Sequence, residues 1–245
     1  SVFEKFRTAY DWKVLATGPD HGIQLKSGRL VVPVWLSTGT GGNAHRPSVT
    51  ATIFSDDGGA TWQAGDIAVP CTEMWINPNE TVAVELGDGR VMLNVRNESK
   101  AHRRLVTVSP DGATRWSTPR FDDALQEPIC MGSIVRYPAK PEGGPVRLLF
   151  SNPDNLSRAD GKEAPGKNRD RKNLSVKMSS DDGQTWPISR TVEPGPSMYS
   201  DLAVAPDGTI FCFYGRSEKT GFAGDRLTLA RFNLAWLTGN KEPPK

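Results

Sequence analysis

The 245-residue sequence predicts an all-β protein, a β-propeller with about four blades, and three observations lead to this prediction. Short apolar runs joined by tight Asp-Gly or Ser-Gly turns recur along the chain, and such turns need residues that tolerate positive φ. A second turn motif, Ser-x-Asp-x-Gly-x-Thr-Trp, follows the hairpins at intervals. No segment has the pattern of a long amphipathic helix. Hairpins repeated at blade-sized spacing are typical of propellers, so we expect a single domain over residues 1–245.

The hairpin pattern appears three times in a compact form and once in a looser form. The compact copies are Gly22–Trp35, Val82–Val95 and Leu202–Tyr214. The looser copy, Gly132–Phe150, has a longer connection through Pro138–Gly144. Each copy predicts two antiparallel strands joined at the turn.

The second turn motif predicts self-contained loops between strands. Ser55–Trp62 and Ser179–Trp186 fit it at every fixed position, whereas Ser109–Trp116 keeps the register but lacks the Gly and the Thr. We expect the Asp to accept hydrogen bonds within the loop and the Trp to pack beneath it. We interpret these loops as structural staples that lie away from any chemistry.

Composition excludes several classes of protein. A formal net charge of +2 provides no basic field for nucleic acid. The longest apolar run, Leu30–Leu36, is far shorter than the roughly 20 residues of a membrane-spanning helix. The three histidines lack the spacing of metal-ligand pairs, so we expect neither a zinc site nor any other cofactor. Ser1–Lys5 does not open a signal-peptide pattern.

Cysteine spacing and one terminal segment give two smaller predictions. Cys71, Cys130 and Cys212 are odd in number, widely spaced and set among apolar residues, which favours buried free thiols; one disulfide plus a leftover thiol is the alternative. Ala230–Leu237 is the one segment that could form a short helical turn after the last strand.

Between the turn motifs, the chain resembles the BNR-repeat, or Asp-box, sialidase family, in particular bacterial and animal exo-sialidases that use a Tyr nucleophile. The similar segments run in order through about residues 17 to 236: Gly18–Leu25 (G-P-G-x-G-I-Q-L), Asn79–Thr81 (N-E-x), Leu93–Asn97 (L-N-x-R), Arg171 shortly before the second complete turn motif, and Tyr199–Leu202 (Y-S-D-L). The resemblance implies a six-bladed sialidase propeller, of which this chain represents about four blades.

The resemblance also implies roles for four residues. Sialic acid carries a carboxylate on its anomeric carbon, and a guanidinium pairs bidentately with a carboxylate, so Arg96 and Arg171 are expected to bind it. A neutral phenol avoids the repulsion that an anionic nucleophile would meet there, and Tyr nucleophiles are a recognised exception among glycosidases. Tyr199 is the expected nucleophile. Because a phenol with a pKa of about 10 needs an adjacent base, Glu80 is expected to activate it.

The sequence departs from the family at its front and at one further position. In the family, the opening segment carries two residues: the first of the arginines that bind the substrate carboxylate (the carboxylate clamp) and the aspartate that acts as general acid. Nothing in Ser1–Pro19 resembles that segment. Asp11 and Asp20 lie outside the acid's context and are not given that role. We therefore expect either the C-terminal part of a longer protein or a reduced relative, with turnover impaired by about 10²–10⁴-fold and a segment or chain completing the propeller. Met131 stands where relatives often have Gln.

Three functions remain open at this point. The first is a retaining exo-α-sialidase acting on sialylated glycans or glycolipids. The second is a non-catalytic sialoglycan-binding propeller. It would need the arginines but neither Glu80 nor Tyr199, so the presence of both residues counts against it. The third is a trans-sialidase that uses the same residues. By analogy with bacterial enzymes of this type, we expect export to the periplasm or the extracellular space.

Overall fold

The computed structural model describes residues 2–138, 146–218 and 224–239, in two compact units, Ser1–Asp122 and Asp123–Lys245. Its elements in chain order are α1 (Val2–Phe6), β1 (Val14–Thr17), β2 (Ile23–Gln24), β3 (Leu30–Ser37), β4 (Ser48–Ser55), β5 (Gln63–Val69), β6 (Thr81–Glu85), β7 (Val91–Val95), β8 (Arg103–Ser109), β9 (Arg120–Gln126), β10 (Ser133–Tyr137), β11 (Arg147–Pro153), β12 (Lys172–Ser179), β13 (Ile188–Val204), β14 (Ile210–Arg216), β15 (Arg226–Phe232) and α2 (Leu234–Thr238). The all-β prediction is confirmed. Both helices in the described ranges are five residues long, and neither could span a bilayer.

The first unit begins with a five-stranded antiparallel sheet. Its order is β1-β3-β4-β5, with β2 also paired to β3. The segment around α1 covers one side of this sheet: Phe6 is buried against Val34, Leu36 and Ile53. The Tyr10 hydroxyl donates to a backbone carbonyl in β5 over 2.6 Å. The opening residues therefore belong to the core of this sheet, which the sequence patterns do not predict.

A four-stranded antiparallel sheet in the order β6-β7-β8-β9 completes the first unit, and the boundary between the units falls within β9. Val31 and Phe54 of the first sheet pack in one buried cluster with Val91, Leu93 and Leu105 of the second. Burial of apolar side chains on both facing surfaces is the main stabilising contribution here.

The second unit contains one long strand that serves two sheets. The 17-residue strand β13 pairs with β12 through Pro196 and with β14 from Ser197 onward. It therefore joins a four-stranded sheet, β10 to β13, to a three-stranded sheet, β13 to β15. Counted by hydrogen bonding, the described residues form three sheets, of five, four and six strands, and β13 links the two parts of the last. The number of blades, about four, stays a prediction. That these sheets form one domain stays a prediction.

All four predicted hairpins are confirmed as strand pairs: β2–β3, β6–β7, β10–β11 and β13–β14. The turn glycines Gly28, Gly89 and Gly208 have φ values of 92°, 88° and 88°, in the left-handed region that glycine enters freely. The connection predicted for the β10–β11 hairpin lies outside the described residues from position 139 to position 145.

The two complete turn motifs have the predicted hydrogen bonds. The Thr61 amide and hydroxyl donate to the Asp57 carboxylate over 2.8 and 2.6 Å, and the Ser55 hydroxyl donates to it over 2.7 Å. The Thr61 hydroxyl, followed by the Thr61 amide and Ser55, lowers the pKa of Asp57 from 3.8 to about 2. Asp181 accepts the same set from Ser179 and Thr185.

The third turn motif corrects the sequence prediction, because it has not lost its Gly and Thr. The Gly112 amide donates to the Ser109 hydroxyl, and the Thr114 hydroxyl donates to Asp111 over 2.8 Å. Both residues therefore act one position earlier than in the other copies. Arg115 takes up the additional residue by adopting a φ of 53°. Partial burial raises the pKa of Asp111, but the loop's amide and hydroxyl donors lower it by more, so its pKa lies below the usual value.

The predicted terminal helix is shorter than its sequence pattern. Residues 230–232 belong to β15, and α2 begins at Leu234 because the Asn233 side chain accepts from the Trp236 amide over 2.8 Å. Gly239 ends it in the left-handed conformation.

The cysteines are free thiols, as predicted. Cys130 and Cys212 are buried, whereas Cys71 is only partly buried. Burial, and secondarily the nearby Asp201 carboxylate, raises the pKa of Cys212 to about 12. Cys212 is therefore held as a neutral thiol in the core.

Candidate functional site

Glu80 and Arg96 lie side by side at the open end of the β6–β7 hairpin. Glu80 immediately precedes β6 and Arg96 immediately follows β7, and the register pairs Thr81 with Val95. The Arg96 amide donates to the Glu80 carbonyl over 3.1 Å, so the ladder continues to this pair. The two side chains form an ion pair between Arg96 Nη1 and Glu80 Oε2 and remain 13% and 16% exposed, respectively. The first unit thus presents a carboxylate and a guanidinium together at a strand end.

Two further polar groups support this pair, and sequence reasoning missed both. Arg104 in β8 is fully buried, and its guanidinium donates to the Asn94 side chain over 2.6 Å on the strand that leads to Arg96. Glu98, two residues beyond Arg96, accepts from the Arg46 guanidinium over 2.6 Å and from the side-chain Nδ2 of Asn77 over 2.9 Å. No sequence signal identifies Arg104, because it stands beside Arg103 at the start of β8 and the sequence does not show which of the two is buried.

Arg171 and Tyr199 form a second pair, in the second unit. Arg171 immediately precedes β12, and Tyr199 lies in β13, the strand that pairs with β12. The Ser197 amide donates to the Arg171 carbonyl over 3.0 Å, which fixes the two strands at this level. The Arg171 guanidinium carbon lies 5.4 Å from the centre of the Tyr199 ring. A cation and a phenol are therefore adjacent, which is the geometry of a cation–π contact.

A β-bulge determines where the Tyr199 side chain lies. Ser197 pairs with Arg216 and Ser200 with Tyr214, so three steps along β13 match two steps along β14. A bulge re-aims the side chains at its extra residue, and bulges are over-represented beside active sites. Tyr199 falls inside this irregularity, and the apolar alternation of the sequence does not reveal it.

The Arg171 guanidinium also contacts the loop between β9 and β10. Its Nη2 donates to the Ile129 carbonyl over 2.7 Å. Met131, where relatives often have Gln, follows in the same loop and is buried.

Of the four predicted site residues, Glu80 contacts Arg96 in the first unit, and Arg171 contacts Tyr199 in the second.

Asp20, which the sequence argument leaves without an acid role, has a nearly buried side chain. Its carboxylate pairs with the His21 imidazole at 2.8 Å and accepts the His21 amide over 2.9 Å. These local bonds orient the carboxylate within its own loop.

Two clefts within the units contain none of the four predicted residues. One cleft, of about 660 Å³, lies in the first unit, along the turns of the β2–β3 and β6–β7 hairpins and beside the first and third turn motifs. It includes Arg29, whose guanidinium donates two hydrogen bonds to the Asp56 carboxylate. The other, of about 490 Å³, lies between β15 and α2 and includes Phe232 and Trp236. We interpret both as surface features of the scaffold, since none of the four predicted residues lines either of them.

Comparison with known proteins gives a consistent set of matches. A model of BNR repeat-like domains matches residues 3–212. The sialidase of Micromonospora viridifaciens is 35% identical over 236 residues, covering 93% of this chain and 32% of that protein. Sialidase-3 of Mus musculus is 28% identical, covering 91% of this chain and 59% of that protein. The chain thus spans only about a third of the length of its bacterial relative.

Solved structures show the same fold. A Hadza microbial sialidase matches with a TM-score of 0.73 and 29% identity, covering 93% of this chain and 39% of that one. A leech intramolecular trans-sialidase, solved with 2,7-anhydro-Neu5Ac, matches with a TM-score of 0.71, covering 94% of this chain and 33% of that one. At 23% identity the second match supports the fold alone.

Proposed function

Because this chain belongs to the BNR-repeat sialidase family, with the all-β propeller fold of that family, we propose that it is a retaining exo-α-sialidase. Its substrates would be terminal sialic acids of glycans or glycolipids. The observation that carries the proposal is the contact between Arg171 and Tyr199, since it puts a guanidinium, which can pair with a carboxylate, beside a phenol. For a whole enzyme of this family, the chain would supply part of the propeller.

Substrate binding in this proposal uses the two arginines. Each guanidinium can donate two parallel hydrogen bonds to a carboxylate, which orients the sugar as well as holding it. Arg171 is already held by a backbone carbonyl at 2.7 Å, and Arg96 by the Glu80 carboxylate. Little rotamer freedom is therefore lost when the substrate binds.

The chemical step proceeds through Tyr199. Its phenolic oxygen bonds to the anomeric carbon as the glycosidic bond breaks, and the phenolic proton passes to Glu80. The departing glycan oxygen takes a proton from a general acid, a role that we assign to no residue of this chain. Water then attacks the anomeric carbon and gives its proton to the conjugate base of the general acid, while the bond to Tyr199 breaks and Glu80 returns the phenolic proton to Tyr199. Two inversions at one carbon give net retention.

Turnover of a fluorogenic aryl α-sialoside by the 245-residue chain tests this proposal. An aryl leaving group departs with little help from an acid, so the test does not depend on that unassigned role. We expect release of the aglycone by the wild-type chain and a loss of at least about 10³-fold in Tyr199→Phe. Equal release by both proteins would refute the assignment of the nucleophile.

Binding and product analysis separate the remaining functions. Binding of N-acetylneuraminic acid without any turnover would favour a sialoglycan-binding propeller. Transfer of the sugar to an added glycan acceptor, in place of free sialic acid, would favour a trans-sialidase. We also propose that the protein is exported, which fractionation of the source cells would test.

A further inference from the structure

The loop between β9 and β10 contains a backbone conformation that isoleucine rarely adopts. Ile129 has a φ of 65°, in the left-handed region, although its side chain is β-branched and buried. For such a residue this region is unfavourable, and it persists only where the surrounding contacts enforce it. The local sequence Glu127-Pro128-Ile129 contains no glycine to relieve this strain.

The Glu127 carboxylate supplies those contacts. Glu127 is fully buried, and its Oε1 accepts the amide of Ile129 over 2.8 Å and the amide of Cys130 over 2.9 Å. Burial strengthens these two hydrogen bonds, because the low local dielectric raises their electrostatic energy. Glu127 therefore holds the turn in which Ile129 is strained.

The strained turn is directed at Arg171. The Ile129 carbonyl accepts Nη2 of Arg171 over 2.7 Å, and the Pro128 carbonyl accepts the Arg169 amide over 3.1 Å. If Ile129 relaxed to a negative φ, its neighbouring peptide planes would rotate and its carbonyl would leave this direction. The orientation of the guanidinium thus depends on a residue that does not itself need to contact a ligand.

We propose that Glu127 is a positioning residue that sets the orientation of the Arg171 guanidinium through the Ile129 turn. This inference rests on the proposed function, in which Arg171 binds the substrate carboxylate. It predicts that Glu127 controls affinity for that carboxylate through the conformation of residue 129, independently of its effect on stability.

Three variants of the 245-residue chain separate positioning from simple stabilisation. Glu127→Met removes both acceptor oxygens while keeping a similar volume. Glu127→Gln keeps one acceptor oxygen without the charge. Ile129→Gly in the Glu127→Met background allows the left-handed conformation without the carboxylate, because glycine adopts positive φ at little cost. This double variant is the rescue.

Two readouts are taken well below the melting temperature of each variant. The first is the NMR signal of the Arg171 side-chain Nε–H in the free protein, assigned with Arg171→Lys. The second is the affinity for N-acetylneuraminic acid by calorimetry. We expect Glu127→Met to shift and broaden the Arg171 signal and to weaken binding about tenfold, the equivalent of one charge-assisted hydrogen bond. Ile129→Gly should recover most of both, although it lowers the melting temperature further.

The outcomes are distinguishable. An unchanged Arg171 signal and affinity in folded Glu127→Met would overturn the inference, as would a failure of glycine to restore either readout. If Glu127→Met does not fold, Glu127→Gln carries the test, with an expected affinity loss of about threefold that Ile129→Gly reverses. If the wild-type chain binds no N-acetylneuraminic acid, the proposed function fails, and the Arg171 signal alone decides the role of Glu127.

Discussion

Replacing Arg171 by lysine tests the carboxylate clamp while keeping the positive charge. The arginine makes two contacts that lysine cannot reproduce together: Nη2 donates to the Ile129 carbonyl over 2.7 Å, and the guanidinium lies 5.4 Å from the Tyr199 ring centre. A lysine ammonium has no planar fork, so it cannot keep the backbone bond and also offer two parallel bonds to a ligand carboxylate.

The expected loss follows from the second of the two parallel hydrogen bonds to the ligand carboxylate, which lysine cannot offer. One charge-assisted hydrogen bond contributes about 1.5–3 kcal/mol. Because lysine keeps the charge and recovers part of this, we expect a net loss of about 1–2 kcal/mol. That corresponds to a roughly 5- to 30-fold rise in the Kd for N-acetylneuraminic acid.

Calorimetric titration of the wild-type chain and Arg171→Lys with N-acetylneuraminic acid measures this loss. Arg158→Lys is the matched control, since Arg158 lies in the same β11–β12 connection and forms a bidentate pair with Asp160 at 2.9 and 2.6 Å. We expect the control to bind as the wild type does. Equal affinities for Arg171→Lys and the wild type, with both folded, would refute the reasoning.

Three further predictions concern the scaffold. The pKa of Asp57 is lowered from 3.8 to about 2, so the stability that its ionised carboxylate contributes is complete above about pH 4 and is lost as the pH falls toward 2. The melting temperatures of the wild type and Asp57→Ala should therefore converge between pH 4 and pH 2. A difference that stays constant over this range would contradict the lowered pKa. Cys71 should react with a thiol reagent in the native protein, while Cys130 and Cys212 should react only after denaturant is added; equal rates for all three would contradict their burial. Arg115, at a φ of 53°, should tolerate glycine with no loss of melting temperature, and a clear loss would contradict the shifted third motif.

Local chemistry explains why much of the fold could be predicted. Hairpins such as β6–β7 depend on a turn in which Gly89 takes a positive φ and on the apolar runs beside it, all within a few residues. The complete turn motifs are likewise closed by their own hydrogen bonds. In the third motif, aligning the sequence on Trp116 misplaces the Gly and the Thr by one position. The reason is that Arg115 is an additional residue between Thr114 and Trp116.

The features that escaped prediction depend on distant contacts. The strained conformation of Ile129 is held by the buried carboxylate of Glu127, which accepts the Ile129 amide. The Ile129 carbonyl in turn accepts Arg171, a residue 42 positions further along the chain. The bulge at Tyr199 depends on the register of β13 against β14. The prolines at positions 194 and 196 argue against a continuous strand, yet β13 runs through them while it changes partners.

Pairing within the candidate site was predicted only in part. The resemblance named Glu80, Arg96, Arg171 and Tyr199, and the structure places them as two contacting pairs, one in each unit. Their joint action in one catalytic site stays a prediction, and so do their roles. Arg104 is buried while the neighbouring Arg103 is only partly buried, a difference that the sequence does not show.

Covalent trapping with 2,3-difluorosialic acid tests the central claim most directly. Fluoride leaves the anomeric carbon without needing a general acid, and the second fluorine slows hydrolysis of the glycosyl-enzyme. We expect a single adduct on the peptide that contains Tyr199, formed more slowly in Glu80→Gln and absent in Tyr199→Phe. An adduct on another residue, or undiminished labelling of Tyr199→Phe, would contradict the assignment of Tyr199 as the nucleophile.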